Sequence, residues 1–411
     1  MALSDSKPIL IIGGGISGIT AAVEIAEVGR EVVLVEKESY LGGNVIRMNN
    51  YFPKLCPPAC GLEINFRRIR QNPRIRIFTG TELKSLSGGK GNFTATLVRS
   101  PQYVKDTCTA CGKCSEVCPE ERPDAFNFSF SHTKAIYLPH AMAFPNKYAI
   151  DDTACLKEQC AKCLDVCSYD AIDLKAESME FTLEAGSVIV ATGWKNYPAE
   201  GLSGLHYREY ANVVSNVEFE RLIAPGGPGN GKLLRPSDQC VPGNIVFVQC
   251  AGSRDENYLA YCSAVCCSAS LKHALTIREK YPESKIKIFY IDLRVTGRNE
   301  DFLERVKNNP GIELIKGKVA KISELPDTRN LVVEAEDILA GRKIKQEADL
   351  VVLATGIMPE KPKIDLDITV AGFISGDQVE GIYPVACCRK PMDVSFSVKD
   401  ATAAAMKAIQ I

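Results

Sequence analysis

A chain of 411 residues that is 45% hydrophobic can fill two ordinary cores and a small insert. Its formal net charge of −1 offers no global basic field to invite nucleic acid, though it rules out nothing outright, and no uninterrupted apolar stretch is long enough for this chain itself to span a membrane. Seventeen cysteines, an odd number lying largely at metal-ligand spacings, argue against a disulfide framework. The first eight residues lack the basic n-region of a signal peptide, so the expectation is thiolates on iron in a reducing compartment.

The first element is a βαβ unit at Pro8–Lys37. An apolar run, Ile9–Ile12, enters Gly13-Gly14-Gly15-Ile16-Ser17-Gly18; a helical period with Ala21, Ala22, Ile25 and Ala26 follows, Gly29 stops it, and Val32–Val35 ends at Glu36 and Lys37. This is a dinucleotide fingerprint. Gly13 permits the tight turn, Gly15 admits a pyrophosphate to the backbone, and Gly18 lets helix and strand pack closely. The helix N-terminus at Ile16 and Ser17 offers unpaired N–H groups to the phosphates, and Glu36 can accept the ribose hydroxyls. A glycine-rich turn in an ordinary α/β fold does not explain that terminal acid.

Leu41-Gly42-Gly43-Asn44 follows at the distance where two-dinucleotide-binding flavoproteins of the glutathione and thioredoxin reductase class carry a Gly-Gly turn. That resemblance implies FAD rather than NAD at the first site. Cys56 and Cys60 are spaced C-x3-C across Pro57-Pro58, which does not suit a thioredoxin-like dithiol; close packing near the flavin is the expectation. Arg74–Thr79 and Phe93–Val98, the latter beyond a turn at Gly88–Gly91, are expected strands.

The insert carries the densest signal. Cys108, Cys111, Cys114 and Cys118-Pro119 form C-x2-C-x2-C-x3-C-P, the bacterial ferredoxin run, whose fourth cysteine reaches the other cluster. A second run, Cys155, Cys160, Cys163 and Cys167, has four residues after its first cysteine where two are usual. Crossing the fourth cysteines gives one [4Fe–4S] site from Cys108, Cys111, Cys114 and Cys167, and another from Cys155, Cys160, Cys163 and Cys118. Zinc competes, but its sites pair C-x2-C knuckles across a spacer.

Met179–Leu183 and Gly186–Gly193 restore the interrupted sheet, the latter ending in Ala191-Thr192-Gly193, which resembles the motif by which this flavoprotein class closes against FAD. The phrase recurs at Ala354-Thr355-Gly356, where Gly356 is expected to contact the flavin cofactor, bracketing a second domain. There Asn244–Gln249 should feed a second glycine-rich turn if a nicotinamide nucleotide binds. Instead the chain reads Cys250-Ala251-Gly252-Ser253-Arg254, and Cys262, Cys266 and Cys267 follow. With Cys262 and Cys266 taken as i and i+4 on one helical face, the four thiols could ligate a third [4Fe–4S] cluster or could be buried packing residues. Arg294 reads as part of a solvated face.

The phrase VQCAGSRDENYLAYCSAVCCSASLKHAL, the earlier YREYANVVSNVEFERLI and the two-cluster insert in a flavin fold resemble the A-type flavin subunits of heterodisulfide reductases. The resemblance implies a cluster at Cys250, Cys262, Cys266 and Cys267. The length and motif set are most similar to the A-type subunits of quinone-interacting membrane-bound oxidoreductases of sulfate reducers. That implies a second flavin/iron–sulfur subunit, a haem b membrane subunit, and a soluble partner, adenylylsulfate reductase, at the inner face of the cytoplasmic membrane. Near the C-terminus, Asp393 follows a Pro-Met step before a last helix that could aim its N–H groups at the flavin, and Cys387 and Cys388 are expected to pack.

The expected fold is α/β: two Rossmann-like nucleotide-binding domains of the thioredoxin/glutathione reductase type with an inserted two-cluster ferredoxin-like module. The expected division is 1–100, 178–200 and 346–411 for the FAD domain, 101–177 for the insert and 201–345 for the second nucleotide fold. The expected activity is flavin-dependent electron transfer without side-chain acid–base catalysis, with bifurcation or confurcation possible in principle at this FAD. Rival readings are an NAD(P)H-dependent reductase resembling the glutamate synthase small subunit, and a cluster scaffold with a structural flavin.

Overall fold

The computed structural model describes residues 6–411, which divide into two compact units. The first holds the chain up to Arg47, Ala59–Trp194 and Pro359–Ile411; the second holds Met48–Pro58 and Lys195–Met358.

In the first unit the runs ILII, VVLV and SVIV are continuously apolar because a parallel strand is covered on both faces, and every residue of them is buried. They lie in a five-stranded parallel sheet in the order Ile382–Pro384, Ser187–Val190, Ile9–Ile12, Val32–Val35, Ile75–Phe78. Ile9 pairs with Ser187 on one side and Val32 on the other. The chain thus leaves Ile12 at a point where strand order reverses, the place where an open α/β sheet leaves a crevice for a ligand. Helix Ile16–Glu27 covers the sheet, and the last helix, Val394–Ala408, packs beside it through small residues including Ala401, Ala404 and Ala405.

An antiparallel meander of Thr81–Gly89, Asn92–Arg99 and Met179–Ala185 adds Phe93, Ala95 and Leu97 to the core around Leu10, Val33 and Val188. Arg99 and Met179 are register partners. The cysteine-rich insert therefore leaves and rejoins the fold at adjoining points of one ladder, which closes a long loop at little entropic cost. Inside the insert, Ile136–Tyr137 pairs with Ala149–Ile150, and Val104 bridges Ile172, so short paired segments flank both cysteine runs.

The second unit repeats the plan. Its parallel sheet runs Val213–Ser215, Leu350–Leu353, Asn244–Val248, Lys285–Tyr290, Ile312–Lys316, followed by a meander of Val319–Glu324, Leu331–Asp337 and Arg342–Ala348. Helix Cys266–Lys280 leads from Asn244–Val248 toward Lys285–Tyr290.

Three expectations change. The boundary at 345/346 moves to 358/359, because Leu350–Leu353 is hydrogen-bonded between Val213–Ser215 and Asn244–Val248. Met48–Pro58 belongs to the second unit: the Asn49 N–H donates to the Glu220 carboxylate at 2.9 Å, and the Asn50 carbonyl accepts from Lys272 at 2.8 Å. A helix at Pro58–Gln71 follows Cys56, with Pro58 at its first position, where a missing N–H is harmless. Cys60 sits in its first turn, and both Cys56 and Cys60 are exposed rather than packed.

Candidate functional site

The glycine turn of the first unit has the shape its sequence demands. Gly13 has φ of +107°, and a Cβ there would lie 2.4 Å from the Ala191 carbonyl oxygen; a Cβ on Gly18 would lie 1.8 Å from the Gly13 carbonyl oxygen. Gly15 differs, since its Cβ would meet only the Gly43 Cα, at 3.9 Å. Gly13 and Gly18 are therefore needed for packing, whereas Gly15 faces open space. Gly15 also caps helix Ile16–Glu27 with no side-chain hydrogen bond, so no side chain competes for the N-terminal N–H groups of Ile16 and Ser17. An uncapped, positively polarised helix end beside an open glycine fits a pyrophosphate.

Glu36 is buried, with Oε2 accepting from the Gly14 N–H at 2.6 Å and Oε1 from the Glu38 N–H at 2.9 Å. Burial pushes its carboxyl up, against the pull of those two N–H groups. Each oxygen keeps a lone pair for a ribose hydroxyl. Gly14, the middle glycine, has no role of its own in the fingerprint; its N–H is what orients the acid. Gly42 donates to the Gly14 carbonyl at 2.8 Å, bringing Gly42-Gly43 alongside the turn. Asn44 donates to the Trp194 carbonyl at 2.7 Å, and Thr192 Oγ1 to the Glu360 carbonyl at 2.5 Å. Lys37 pairs with Glu360 at 3.3 Å on the surface. Asp393 is the N-cap of the last helix, accepting from the Phe396 N–H at 2.8 Å. Cys387 and Cys388 are buried, as expected of packing residues.

In the insert, one cavity is lined by Cys108, Cys111, Cys114 and Cys167, and a second by Cys118, Cys155, Cys160 and Cys163. The fourth cysteine of each run has crossed to the other site, and Ile136 lines both cavities. The two halves match locally. Helices Lys113–Glu116 and Lys162–Asp165 both start from left-handed residues, Gly112 and Ala161. The N–H two residues after each run's first cysteine donates to its sulfur, Ala110 to Cys108 at 3.4 Å and Lys157 to Cys155 at 3.3 Å. Burial, with the charges of Cys108 and Cys111, pushes the Cys114 thiol up to about 12, and burial with Cys155, Cys118 and Cys160 pushes Cys163 up to about 11. Metal binding needs the thiolate, so a bound cation would draw these two thiols down again. Ligands spread round a cavity suit a multi-iron cluster, one thiolate to each iron.

In the second unit, Cys250 stands at the end of Asn244–Val248 with φ of +56°. Cys262 precedes helix Cys266–Lys280 rather than lying in it, because left-handed Ala264 intervenes; the i, i+4 argument for Cys262 and Cys266 is corrected accordingly. The four thiols nonetheless gather. Burial raises the Cys266 thiol far above its ordinary range, and Cys267, Cys250 and Cys262 add to the rise. Gly356 also belongs here: a Cβ on it would lie 2.3 Å from Ser253 Oγ and 2.6 Å from Ser263 Oγ. Arg294 is exposed, as expected of a solvated face, and the charges of Arg254 and Arg294 lower the Cys250 thiol against the larger rise from burial.

Deeper in the same unit, Glu220, Lys272 and His273 form a buried ionic cluster. Glu220 Oε1 pairs with Lys272 Nζ and lies 2.7 Å from His273 Nε2. Burial alone would raise the Glu220 carboxyl, but the charges and hydrogen bonds of Lys272 and His273 outweigh it and hold it well below the usual carboxylate range.

Fold and turn together define the class, a doubly wound α/β protein with a dinucleotide-binding turn. The family model of FAD-dependent oxidoreductases matches residues 8–51. Among solved structures, the thioredoxin reductase of T. acidophilum shares the fold, with a TM-score of 0.55, 14% identity and 98% of each chain covered. More particularly, the homologues are the A-type iron–sulfur subunits of heterodisulfide reductases. The second of two such subunits of the CoB–CoM heterodisulfide reductase of Methanopyrus kandleri is 39% identical over 97% of this chain. The A-type subunit of the H2:CoB-CoM heterodisulfide,ferredoxin reductase of Methanothermobacter marburgensis is 34% identical over 99% of it. The chain spans 63% and 64% of the lengths of these two relatives.

Proposed function

We propose that this chain is an FAD/iron–sulfur electron-transfer subunit of a multisubunit oxidoreductase. The observation that carries the reading is the sorting of eight insert cysteines into two cavities with the fourth cysteine of each run exchanged. Thiols serving only as packing have no reason to cross in that way. When bound, the flavin handles electron pairs and the clusters single electrons.

The chain's part is to hold and insulate these groups. The Gly13–Gly18 turn with the Ile16 and Ser17 N–H groups receives the pyrophosphate and Glu36 the ribose, with Gly42, Gly43, Asn44 and Ala191-Thr192-Gly193 alongside the turn. Cys108, Cys111, Cys114 and Cys167 hold one cluster, Cys118, Cys155, Cys160 and Cys163 a second, and Cys250, Cys262, Cys266 and Cys267 a third. Gly356 serves that third site. A nicotinamide site has little support, because Cys250 and Arg254 stand where a glycine cradle would, and a Cβ on Gly252 would press within 3.0 Å of Tyr197.

Homology favours a complex of the heterodisulfide-reductase type, with the flavin splitting or joining electrons between two partners. The motif set also supports a quinone-linked variant with adenylylsulfate reductase, a second flavin/iron–sulfur subunit and a haem b subunit, at the cytoplasmic face of the membrane. No described helix is long and apolar enough to cross a membrane, so in that variant a span belongs to other subunits.

The test is the iron, sulfide and flavin content of anaerobically isolated protein, with low-temperature EPR after reduction. One FAD with about twelve irons is expected. About eight would remove the Cys250 site, and zinc in place of iron would overturn the reading. Bleaching of the flavin by NADH would transfer support to the nicotinamide rival. Co-isolation of haem b decides between the two complexes.

A further inference from the structure

Between the two cysteine runs the chain turns away from the cysteines. The lining of the second cavity leaves it at Glu120 and resumes at Ala135, and the stretch between is a hairpin in which Glu121–Pro123 pairs with His132–Lys134. Its tip is tightly determined. The Asp124 carboxylate accepts from the Phe126 N–H at 2.9 Å and from the Asn127 side-chain amide at 2.8 Å, while Phe128 and Ser129 are held at φ of +53° and +66°. Two consecutive non-glycine residues in the left-handed region persist only where their surroundings over-determine them.

The tip sets its rings against the turn at Gly42-Gly43. The Arg47 guanidinium lies over Phe126, 5.6 Å from the ring centroid, and over Phe128 at 5.4 Å, and its Nη2 donates to the Tyr40 hydroxyl at 2.9 Å. His140 stacks on Phe126 at 4.9 Å and meets the edge of Tyr40 at 5.1 Å. A second fastening follows: the Phe144 carbonyl accepts from the Leu41 N–H at 2.8 Å, and the Phe144 ring stacks on Phe66 at 5.0 Å with Arg70 over it at 5.5 Å. Tyr40, Leu41 and Arg47 flank Gly42-Gly43, and the residues between are closed by Ile46 N–H to the Gly42 carbonyl at 3.4 Å and Arg47 N–H to the Asn44 carbonyl at 3.2 Å. The chain that joins the two cysteine runs is therefore fastened at both ends of the turn that runs beside Gly15.

Holding cysteines does not require such a fastening. Electron exchange does, because its rate falls steeply as donor and acceptor separate, and what a protein supplies to bound redox groups is their placement. A planar guanidinium between two rings, anchored by a hydroxyl, is a stiff joint. We propose that Arg47 is a positioning residue: by joining the hairpin that carries Phe126 and Phe128 to the turn at Gly42-Gly43, it fixes the separation of the insert clusters from the flavin and so the rate of electron exchange between them. The inference rests on the flavin and the insert clusters proposed above. One electron leaves a reduced cluster for the flavin, or returns; Arg47 itself carries neither electron nor proton.

The test compares anaerobically isolated full chain, wild type, Arg47→Met, Arg47→Lys and Tyr40→Phe, with iron and flavin content measured for each. Pulse radiolysis with the methyl viologen radical as one-electron donor gives a first-order phase, independent of protein concentration, in which electrons redistribute between clusters and flavin. Backbone amide exchange, followed by mass spectrometry over residues 40–47 and 124–144, reads the joint itself. Arg47→Met with full cofactors is expected to slow the redistribution by about tenfold and to speed exchange in both segments. Arg47→Lys, which keeps a cation over the rings, and Tyr40→Phe, which loses one hydrogen bond, shift both readouts less and in the same direction. A wild-type redistribution rate in Arg47→Met overturns the inference, and so does a slowed rate without faster exchange. Should Arg47→Met lose its flavin, the two milder variants decide: wild-type rates in both overturn the inference and leave the proposed function intact. A wild-type insert without iron sinks the proposed function, and this inference with it.

Discussion

The two units set one strand order round two different turns. In the first, Ile9–Ile12 runs into Gly13-Gly14-Gly15; in the second, Asn244–Val248 runs into Gln249-Cys250-Ala251. Both central strands are flanked on one side by the strand that ends in Ala-Thr-Gly, and both receive the same hydrogen bond from it: Ala191 N–H to the Ile12 carbonyl at 2.8 Å, Ala354 N–H to the Val248 carbonyl at 2.9 Å. The repeated Ala-Thr-Gly is therefore a property of the scaffold. What the scaffold presents is decided by the turn: glycines and an uncapped helix end favour a diphosphate, whereas a group of thiols is the donor set of a metal cluster.

The sharpest way to break the comparison is to close the glycine turn. Gly18→Val sets a side chain against the Gly13 carbonyl, where even a Cβ would lie at 1.8 Å, so the first unit is expected to lose at least about 3 kcal/mol and all retained flavin. Gly15→Ala, in open space at φ of −74°, is expected to change apoprotein stability by less than about 1 kcal/mol yet weaken FAD at least tenfold. Thermal unfolding of apoprotein and the flavin-to-protein ratio read the two effects separately. Equal loss of stability in both variants would remove the distinction between packing glycines and the phosphate-facing one.

The buried acids of the two units titrate in opposite senses, which gives a second test. The Glu220 carboxyl titrates below its unfolded value of 4.5, so its contribution is whole above that pH and drains away as pH falls toward the folded value. The His273 imidazole, lowered chiefly by burial, acts in the same sense. Glu36 is raised above 4.5, so its contribution is whole below that pH and is lost as pH rises through the folded value. Glu220→Gln is expected to cost about 3 kcal/mol at neutral pH by leaving buried Lys272 without its counter-charge. Glu36→Gln is expected to leave apoprotein stability within about 1 kcal/mol while weakening FAD. Unfolding profiles between pH 4 and 7 check the signs. A Glu220→Gln profile with the wild-type acid slope would dismiss the cluster as the origin of acid sensitivity.

The residues differ in how openly they declared themselves. The βαβ turn and the crossed cysteine runs are local in sequence, with each spacing determined by a rigid motif, and both were legible. The thiols at Cys250, Cys262, Cys266 and Cys267 were legible as a group but not in conformation, because the left-handed turn at Ala264 that starts the helix late has no signature in an alanine. The placement of Met48–Pro58 depends on Asn49 and Asn50 meeting Glu220 and Lys272 from far along the chain, and no period or motif encodes that meeting. Gly356 lies against Ser253 and Ser263 of the second unit, because its motif is repeated by the scaffold, and a repeated motif does not by itself tell which ligand a copy serves.

Asp393 supplies the smallest effect and separates two roles for one side chain. The sequence set it at the flavin; the structure gives its carboxylate to the Phe396 N–H at 2.8 Å, at the start of the helix that packs beside Ile16–Glu27. A cap needs an acceptor, whereas a charge-dependent contact with cofactor needs the ionised acid. Asp393→Asn keeps the acceptor and is expected to change stability by less than about 0.5 kcal/mol, while Asp393→Ala loses about 1 kcal/mol. If capping is the whole role, flavin content and absorbance are the same in both variants. A changed flavin spectrum in Asp393→Asn, with unfolding unmoved, would return the residue to the cofactor and bring the last helix of the first unit into the binding site.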